Sequence, residues 1–434
     1  AHVYAGKALA IDRSDIGSRM VQGWSLLQLG EYNDFKDRDT GTEFPGARRI
    51  FEEILQQSPN EFRAWQGLAA IEFREYFKLN KRATNFERAA AMLDSIHQKC
   101  KEAAKPASQG MTVEKRDAIL SLVNSEWSTY SASIKQFYER QRVAFFEYSN
   151  PTKPLGVSWD EELNFLMRGF DYDLRNLSLD KASELASKMV VGQRGRAKYW
   201  REVALERLDA ARNTYRDLDA RAGSYYWVKR DLAFVHATQG AYALDKAMQA
   251  LRDAGGMTGG GVDAGGRQIS DSLPHEALPA QWRDLVAREH QAATSYLESF
   301  IKADEDDELR GEKRVKDVQD QFWTGGNQDA IVQNVLDLYL ENVAEVVKER
   351  RAQRKLMILQ LLVLYTYPVY GVQNLELAEY WAGRLYDTDS RDPIVHFIQG
   401  VIFDKQNDHV RAAEQYSRYM ARSSVATDGN RRAY

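Results

Sequence analysis

Side chains that bind metals or carry out acid–base chemistry occur in this sequence, but not at the spacings that such chemistry needs. The seven histidines never lie four residues apart, and no H-E-x-x-H pattern occurs. Cys100 is the only cysteine, which excludes an intrachain disulfide and a cysteine-based zinc site. No G-x-S-x-G motif marks a nucleophile. We therefore predict no metal site, no cofactor and no catalytic residue, and interpret the chain as a non-enzyme.

Two charged clusters and one glycine-rich segment are the remaining candidates for ligand binding. The acidic run 304–308 lacks the spaced loop pattern of a calcium site, so a solvated helix end is the simpler interpretation. Basic residues gather at 348–355, where the dipole of a helix C-terminus alone would favour them. The glycines of 254–266 lack the G-K-[ST] ending of a phosphate loop, and no strand pattern precedes them. We expect a flexible loop over 254–274.

The composition indicates a chain with a mixed-sign surface. Apolar residues make up 44% and charged residues 28%, and the formal net charge is -4, which argues against bulk binding of nucleic acid. No apolar run reaches the roughly 20 residues that span a bilayer, and residues 356–372 are interpreted as a buried helix. The sequence has no initiator Met and no signal-like start. It therefore suits a soluble protein, cytoplasmic by default, with a periplasmic or exported mature domain as the alternative.

The elements that would position any site are helices, and the clearest pair spans residues 393–421. This stretch fits two antiparallel helices joined by a short turn. Gly400 and Ala412 would let the two backbones approach closely, while Phe403 and Tyr416 would fill the space beside that contact.

The same order of small, turn and aromatic positions recurs near the N-terminus. Gly23 takes the small position of a first helix, and G-E-Y at 30–32 forms the turn. A second helix then carries Ala47 and Phe51, after an insertion of about twelve residues in the turn. A further pair is predicted with its first helix at Trp65 and its second at 89–96.

Longer helices are predicted in the middle of the chain, and no convincing strand pattern occurs anywhere in the sequence. A linker at 101–110 precedes them. They are a helix through 119–137, one capped by Ser158 and Glu161, one through 200–215, a degenerate pair with Gly240 in its turn, one that Pro279 opens and the acidic run ends, and one over 329–355.

This arrangement resembles the tetratricopeptide repeat (TPR) family, whose period is about 34 residues. The resemblance implies an all-α, right-handed superhelical α-solenoid of TPR-like helix-turn-helix repeats with irregular long central helices. The implied domains are N-terminal repeats at 1–100, the first of them a half-repeat at 1–12; a central helical region at 101–253; the glycine-rich loop at 254–274; long helices at 275–355; C-terminal repeats at 356–422; and a polar tail at 423–434.

In that family, fixed positions of the first helix of each repeat line a concave groove. The corresponding residues here are Met20, Trp24, Leu27, Gln28, Arg63, Gln66, Phe397, Val401, Asp404 and Lys405. The Lys and Asn clamp that chaperone-binding members use for a C-terminal carboxylate is not reproduced. An apolar groove suits an amphipathic helix or apolar peptide, unless the chain's own helices fill it. The resemblance therefore implies a non-enzymatic scaffold that binds partner proteins or peptides in a larger assembly, with no nucleic acid and no membrane-spanning segment.

Two alternatives stay open at this point. The half-repeat at 1–12 would leave an unpaired helix face, which could stack on another copy in a self-assembling structural subunit. A helical enzyme or sensor is the other, with a small-molecule pocket among the central tryptophans Trp127, Trp159, Trp200 and Trp227.

Overall fold

The computed structural model describes residues 15–36, 43–146, 179–254, 273–324, 330–390 and 392–431, and helix dominates them. The elements are α1 (Ile16–Leu29), β1 (Phe35–Lys36), β2 (Glu43–Phe44), α2 (Ala47–Gln57), α3 (Phe62–Ala103), α4 (Val113–Phe146), α5 (Leu179–Arg221), α6 (Trp227–Asp253), α7 (Ala280–Thr324), α8 (Ala330–Thr366), α9 (Leu375–Thr388), α10 (Pro393–Lys405) and α11 (His409–Arg431), with short 3₁₀ turns at Ala107–Gln109, His275–Ala277 and Pro368–Tyr370.

The chain forms two compact units, Ala1–Thr214 and Tyr215–Tyr434. In each unit the helices pack mainly on their neighbours in sequence, as in a helical solenoid. The predicted all-α solenoid is therefore confirmed as the fold class. The half-repeat at 1–12, the capping box at Ser158 and Glu161, and residues 255–272 of the glycine-rich loop lie outside the described residues.

One phenylalanine ring fills the space where the first three helices meet. Gly23 of α1 and Gly67 of α3 both lie against Phe51 of α2, and a Cβ added at either would come within 2.7 Å or 2.4 Å of its ring. Gly30 ends α1 in the left-handed region at φ 85°. Gly23 and Phe51, predicted at the small and aromatic positions of this helix pair, thus lie in contact with each other.

The insertion in the first turn is closed at its base. The N–H of Ala47 donates to the carbonyl of Glu31 at 3.0 Å, so α2 begins where the uninterrupted turn would have placed it. Within the insertion β1 pairs with β2 in antiparallel register. The prediction that no strand occurs is wrong for these short segments.

Helix α3 runs for 42 residues without the turn predicted between Trp65 and Ala89. Residues 73–88 contain neither glycine nor proline, so nothing in the local sequence stops the helix. Tyr76, Ala83 and Phe86 keep one face buried through this stretch. The predicted second helix pair is thus one long helix.

The predicted linker and long central helices agree with the structure more closely than the predicted second helix pair does. Helix α3 ends at Ala103 and α4 begins at Val113, with Gly110 between them at φ 82°. The apolar stripe of α4 is buried at Val123, Trp127 and Tyr130. The stripe of α5 is also buried, comprising Trp200, Ala204, Leu208, Ala211 and Tyr215.

In the second unit Gly240 lies in the middle of α6 rather than in a turn. A Cβ added there would lie 2.6 Å from Nε2 of His290 on α7, so the glycine permits close helix packing. The predicted turn is wrong for that reason. Burial lowers the pKa of His290 to about 4, which keeps its imidazole neutral near pH 7.

Asp304 and Glu308 of the acidic cluster pair with Arg350, Arg351 and Arg354 of the basic cluster between α7 and α8. Asp304 is only 1% exposed, and the guanidiniums of Arg350 and Arg354 donate to its carboxylate at 2.7 Å and 2.6 Å. Burial would raise the pKa of Glu308, but hydrogen bonds from Arg354 and Arg351 outweigh it and lower that pKa. The interpretations as a solvated acidic end and a basic helix end are wrong, since both helices continue past these residues.

The last helix pair follows the predicted packing. A Cβ added at Gly400 of α10 would meet the ring of Tyr416 on α11 at 2.6 Å, and Ala412 is buried beside it. The turn between them places Asn407 at φ 62° and lets the N–H of Asp408 donate to the carbonyl of Phe403 at 2.8 Å. Helix α11 continues to residue 431, so most of the segment predicted as a polar tail is helical.

The described residues contain neither a helix that could span a membrane nor a cluster of metal ligands. None of their helices combines the length and apolarity needed to cross a bilayer. No group of three or more His, Cys, Asp or Glu side chains lies together there as metal ligands would.

Candidate partner-binding groove

The final turns of α8 lie beside α10, and contacts at both ends fix their relative direction. At one end Lys355 Nζ donates to Asp389 at 2.9 Å and also to Asp392, at the start of α10. At the other end Lys405 Nζ lies 5.0 Å from the ring centre of Tyr367. The two helices therefore run parallel, as the first helices of successive repeats do.

Exposed apolar side chains lie along both of these helices. On α8, Leu356 is 59% exposed and Val363, two turns later on the same face, is 44% exposed. On α10, Phe397 is 40% exposed and Val401, one turn later, is half-buried. Val363 lies one turn before Tyr367 and Val401 one turn before Lys405, so both valines are near the end where Lys405 meets the Tyr367 ring. Together these four residues form what we call the C-terminal groove.

The Phe397 ring is held in place from behind. It packs against the rings of Tyr416 and Tyr419 on α11, with centroid distances of 6.1 Å and 5.3 Å. Burial raises the pKa of the Tyr416 phenol, and the Asp404 carboxylate raises it further. The Tyr416 phenol therefore stays neutral. Because two rings pack against it, Phe397 is a fixed part of the groove wall.

Charged groups lie at the ends of the groove. Burial would lower the pKa of Lys355, but its hydrogen bonds to Asp392 and Asp389 outweigh that effect and raise it. At the other end Asp404 lies 3.0 Å from Nδ1 of His409. These groups pair with one another rather than converging on one point in the groove. The arrangement can hold an apolar ligand between polar ends.

The predicted residues divide between the two units and between buried and accessible positions. The C-terminal four all border the groove: Phe397, Val401, Asp404 and Lys405. The N-terminal positions enclosed in the core are Met20, Leu27 and Gln66. The N-terminal positions that reach the surface are Trp24, Gln28 and Arg63. An enclosed side chain can support a groove but cannot touch a partner.

Of these N-terminal positions, Trp24 is half-buried and packs edge-on against Phe51 at 5.7 Å. The side chain of Gln28 accepts a hydrogen bond from Arg74 at 3.1 Å. Replacement of Trp24 would therefore disturb the hairpin core as well as any surface. Arg63 is the cleaner probe of this face.

Sequence reasoning missed the wall that α8 contributes. Residues 356–372 were interpreted as a buried helix, yet Leu356 and Val363 point to solvent. The signal was present, because Leu356, Gln360, Val363 and Tyr367 follow one another at spacings of four, three and four residues. A helix with such a stripe has a second face, and the environment of that face has to be predicted separately from that of the buried face.

The central tryptophans contribute to packing. Trp127 and Trp200 belong to the core of the first unit, and the Arg82 guanidinium lies 3.9 Å from the Trp200 ring centre. Trp227, in the second unit, stacks on Tyr226 at 5.3 Å. Trp159 lies outside the described residues.

Comparison with known proteins gives only distant likenesses. No protein-family model and no curated protein matches the sequence. The structure of Naa15/Naa10 bound to HypK-THB is similar at 14% identity and a TM-score of 0.19 over 97% of this chain and 55% of that one, so this chain spans about half its length. A human IFIT1 dimer with m7Gppp-AAAA is similar at 13% identity and a TM-score of 0.15, over 96% of this chain and 77% of that one. TM-scores this low carry no argument about function.

Proposed function

We propose that this chain is a non-enzymatic scaffold whose C-terminal groove binds an apolar, helix-forming segment of a partner protein within a larger assembly. The observation that carries the proposal is the line of exposed apolar side chains at Leu356, Val363 and Phe397 on two parallel helices. Large apolar side chains at half exposure are costly to leave in water, and burial recovers about 25 cal/mol per Å².

The spacing of the groove residues favours a helix as the ligand. Leu356 and Val363 lie seven residues apart, which is about 10 Å along a helix axis. An amphipathic helix repeats its apolar anchors over the same distance, so successive anchors would meet successive groove residues. The paired charges near Lys355 and Asp404 would border such a helix as a polar rim.

No reaction belongs to this proposal, since the polar groups beside the groove are paired with each other. The accessible N-terminal positions Trp24, Gln28 and Arg63 are proposed as a second contact surface. A solenoid offers such surfaces repeatedly along its length, which suits a protein that holds several partners.

The test compares partner capture by matched variants in the protein's native source. Phe397→Asp and Val363→Asp place a charge in the groove, whereas Val410→Asp places one at an 83% exposed position on α11. Quantitative mass spectrometry of co-purifying proteins should show at least one protein lost with both groove variants and retained with Val410→Asp. Equal recovery from all variants, with helix content unchanged by circular dichroism, would sink the proposal.

A further inference from the structure

The outer part of the α7–α8 pair is far more exposed than its base. Near the base, Leu297, Phe300 and Ile301 are buried. Every side chain described between 309 and 353 is instead exposed or half-buried. We call residues 309–324 of α7 and 330–349 of α8 the arm. Its two helices cover each other only partly.

A cleft of about 410 Å³ opens between the two helices of the arm. Its walls include Val315 on α7 and Val343, Val346 and Val347 on α8. Gly311 also borders it, and a Cβ added there would meet nothing within 4 Å. A glycine inside a helix costs about 1 kcal/mol relative to alanine. The seam of the arm is thus apolar and open.

The face that carries the cleft also carries exposed apolar side chains. Tyr339 and Val346 line the cleft and are themselves exposed. Leu309 lies seven residues before Lys316, and Leu338 lies four before a cleft residue, so both share this face. Both leucines are more than half exposed. A cleft alone would not account for apolar residues on both of its flanks.

The two edges of this face carry opposite charge. Exposed Lys313 and Lys316 lie on the α7 edge, and exposed Glu345 and Glu349 lie on the α8 edge, where Glu345 also meets Lys348 of its own helix at 3.4 Å. A two-fold axis parallel to the arm helices leaves every residue at the same height along the arm. A copy rotated about this axis therefore places its α8 opposite α7 of the first chain, and these two helices run antiparallel. Each basic edge then meets an acidic edge, twice in one interface. This self-complementarity favours a second copy over an unrelated helix.

We propose that the cleft faces of two arms pack together in an antiparallel four-helix bundle and make the protein a two-fold symmetric dimer. In that bundle, the cleft valines and Tyr339 form the shared core, and the leucines at 309 and 338 close its sides. The buried Asp304–Arg354 layer at the base fixes the register of the arm. The dimer surface is separate from the C-terminal groove.

The test uses charge-reversed variants and sedimentation equilibrium over roughly 1 to 100 micromolar protein. The wild type should dimerise. Lys313→Glu/Lys316→Glu and Glu345→Lys/Glu349→Lys should each weaken the dimer about tenfold or more, because like charges then face each other. An equimolar mixture of the two should recover a dimer, since the reversed edges complement each other. Val346→Glu, which changes a side chain exposed in the single chain, should also give a monomer.

The control reverses the same charges elsewhere. Lys188→Glu/Lys198→Glu changes two exposed lysines of α5 by the same amount and should leave the dimer intact. A wild type that stays monomeric throughout, or charge variants that dimerise like the wild type, would overturn the proposal. So would a mixture of the two variants that fails to recover the dimer while both keep wild-type helix content.

Discussion

Asp304→Ala tests whether the buried charged layer stabilises the α7–α8 pair. Each carboxylate oxygen of Asp304 meets one guanidinium, with N–O distances of 2.9 and 2.7 Å to Arg350 and of 2.8 and 2.6 Å to Arg354. Tyr226 adds a hydroxyl donor at 3.2 Å. Removing the carboxylate leaves Arg354 with Glu308 as its remaining acceptor, and leaves Arg350 and Tyr226 with Asp307.

The magnitude follows from burial. Arg354 is also buried, with its side chain 9% exposed, so its guanidinium has little access to water as an alternative acceptor. Breaking a buried pair from one side costs about 3–5 kcal/mol. Asp306→Ala is the matched control, because Asp306 is exposed two residues further along α7. An exposed substitution of this kind changes the free energy of unfolding by about 0.5 kcal/mol or less.

Hydrogen exchange of α7 and α8 peptides is the suitable assay, because it reports local opening in a chain with two units. Asp304→Ala should raise exchange in buried peptides on the order of 10² to 10³-fold, while Asp306→Ala should leave it near wild type. Equal exchange in the two variants would show that the buried layer does not stabilise the pair.

Three further predictions follow from packing and burial. Gly400→Ala should lower the free energy of unfolding by about 1–3 kcal/mol, since the added Cβ would meet the Tyr416 ring at 2.6 Å. Gly383→Ala, where a Cβ would meet nothing within 4 Å, should be neutral or stabilising. Urea unfolding of the two variants measures the difference. Leu27→Ala should lower the free energy of unfolding by about 2–5 kcal/mol, because Leu27 is fully buried. Leu29→Ala, at an exposed position, should lower it by less than about 0.5 kcal/mol. Equal losses of stability in thermal unfolding of the two variants would contradict this prediction. The pKa of His290 in the folded state is about 4, below its value in the unfolded chain. Its contribution to the free energy of unfolding is therefore complete above about pH 6.5 and falls by roughly 3 kcal/mol toward pH 4. Urea titrations should show this loss in the wild type and not in His290→Gln.

The local packing of the repeats could be predicted from sequence because each unit of the pattern is short. Tyr416 lies against Gly400 as expected, and Phe51, predicted at the matching aromatic position, lies against Gly23 in the same way. Helix continuity was harder to predict. Gly240 looks like a turn residue, and only the His290 ring on another helix explains it.

Long-range pairing accounts for the largest error. Asp304 and Arg354 lie 50 residues apart, and each charged cluster had a sufficient local explanation as a solvated helix end. The groove was half predicted for a related reason. The register of α10 identified Phe397 and Val401, whereas the wall at Val363 depends on which face of α8 its neighbours leave uncovered.

Site-specific photo-cross-linking in the native source tests the scaffold proposal most directly. A photoreactive residue at Val363 would report what occupies the C-terminal groove, and the same residue at Val410 would report contacts of a surface outside it. The account predicts that Val363 cross-links to an amphipathic helical segment of one foreign protein, which the Val410 position does not capture. Cross-links from Val363 only to this chain itself would contradict it, because the groove would then be filled from within or by another copy.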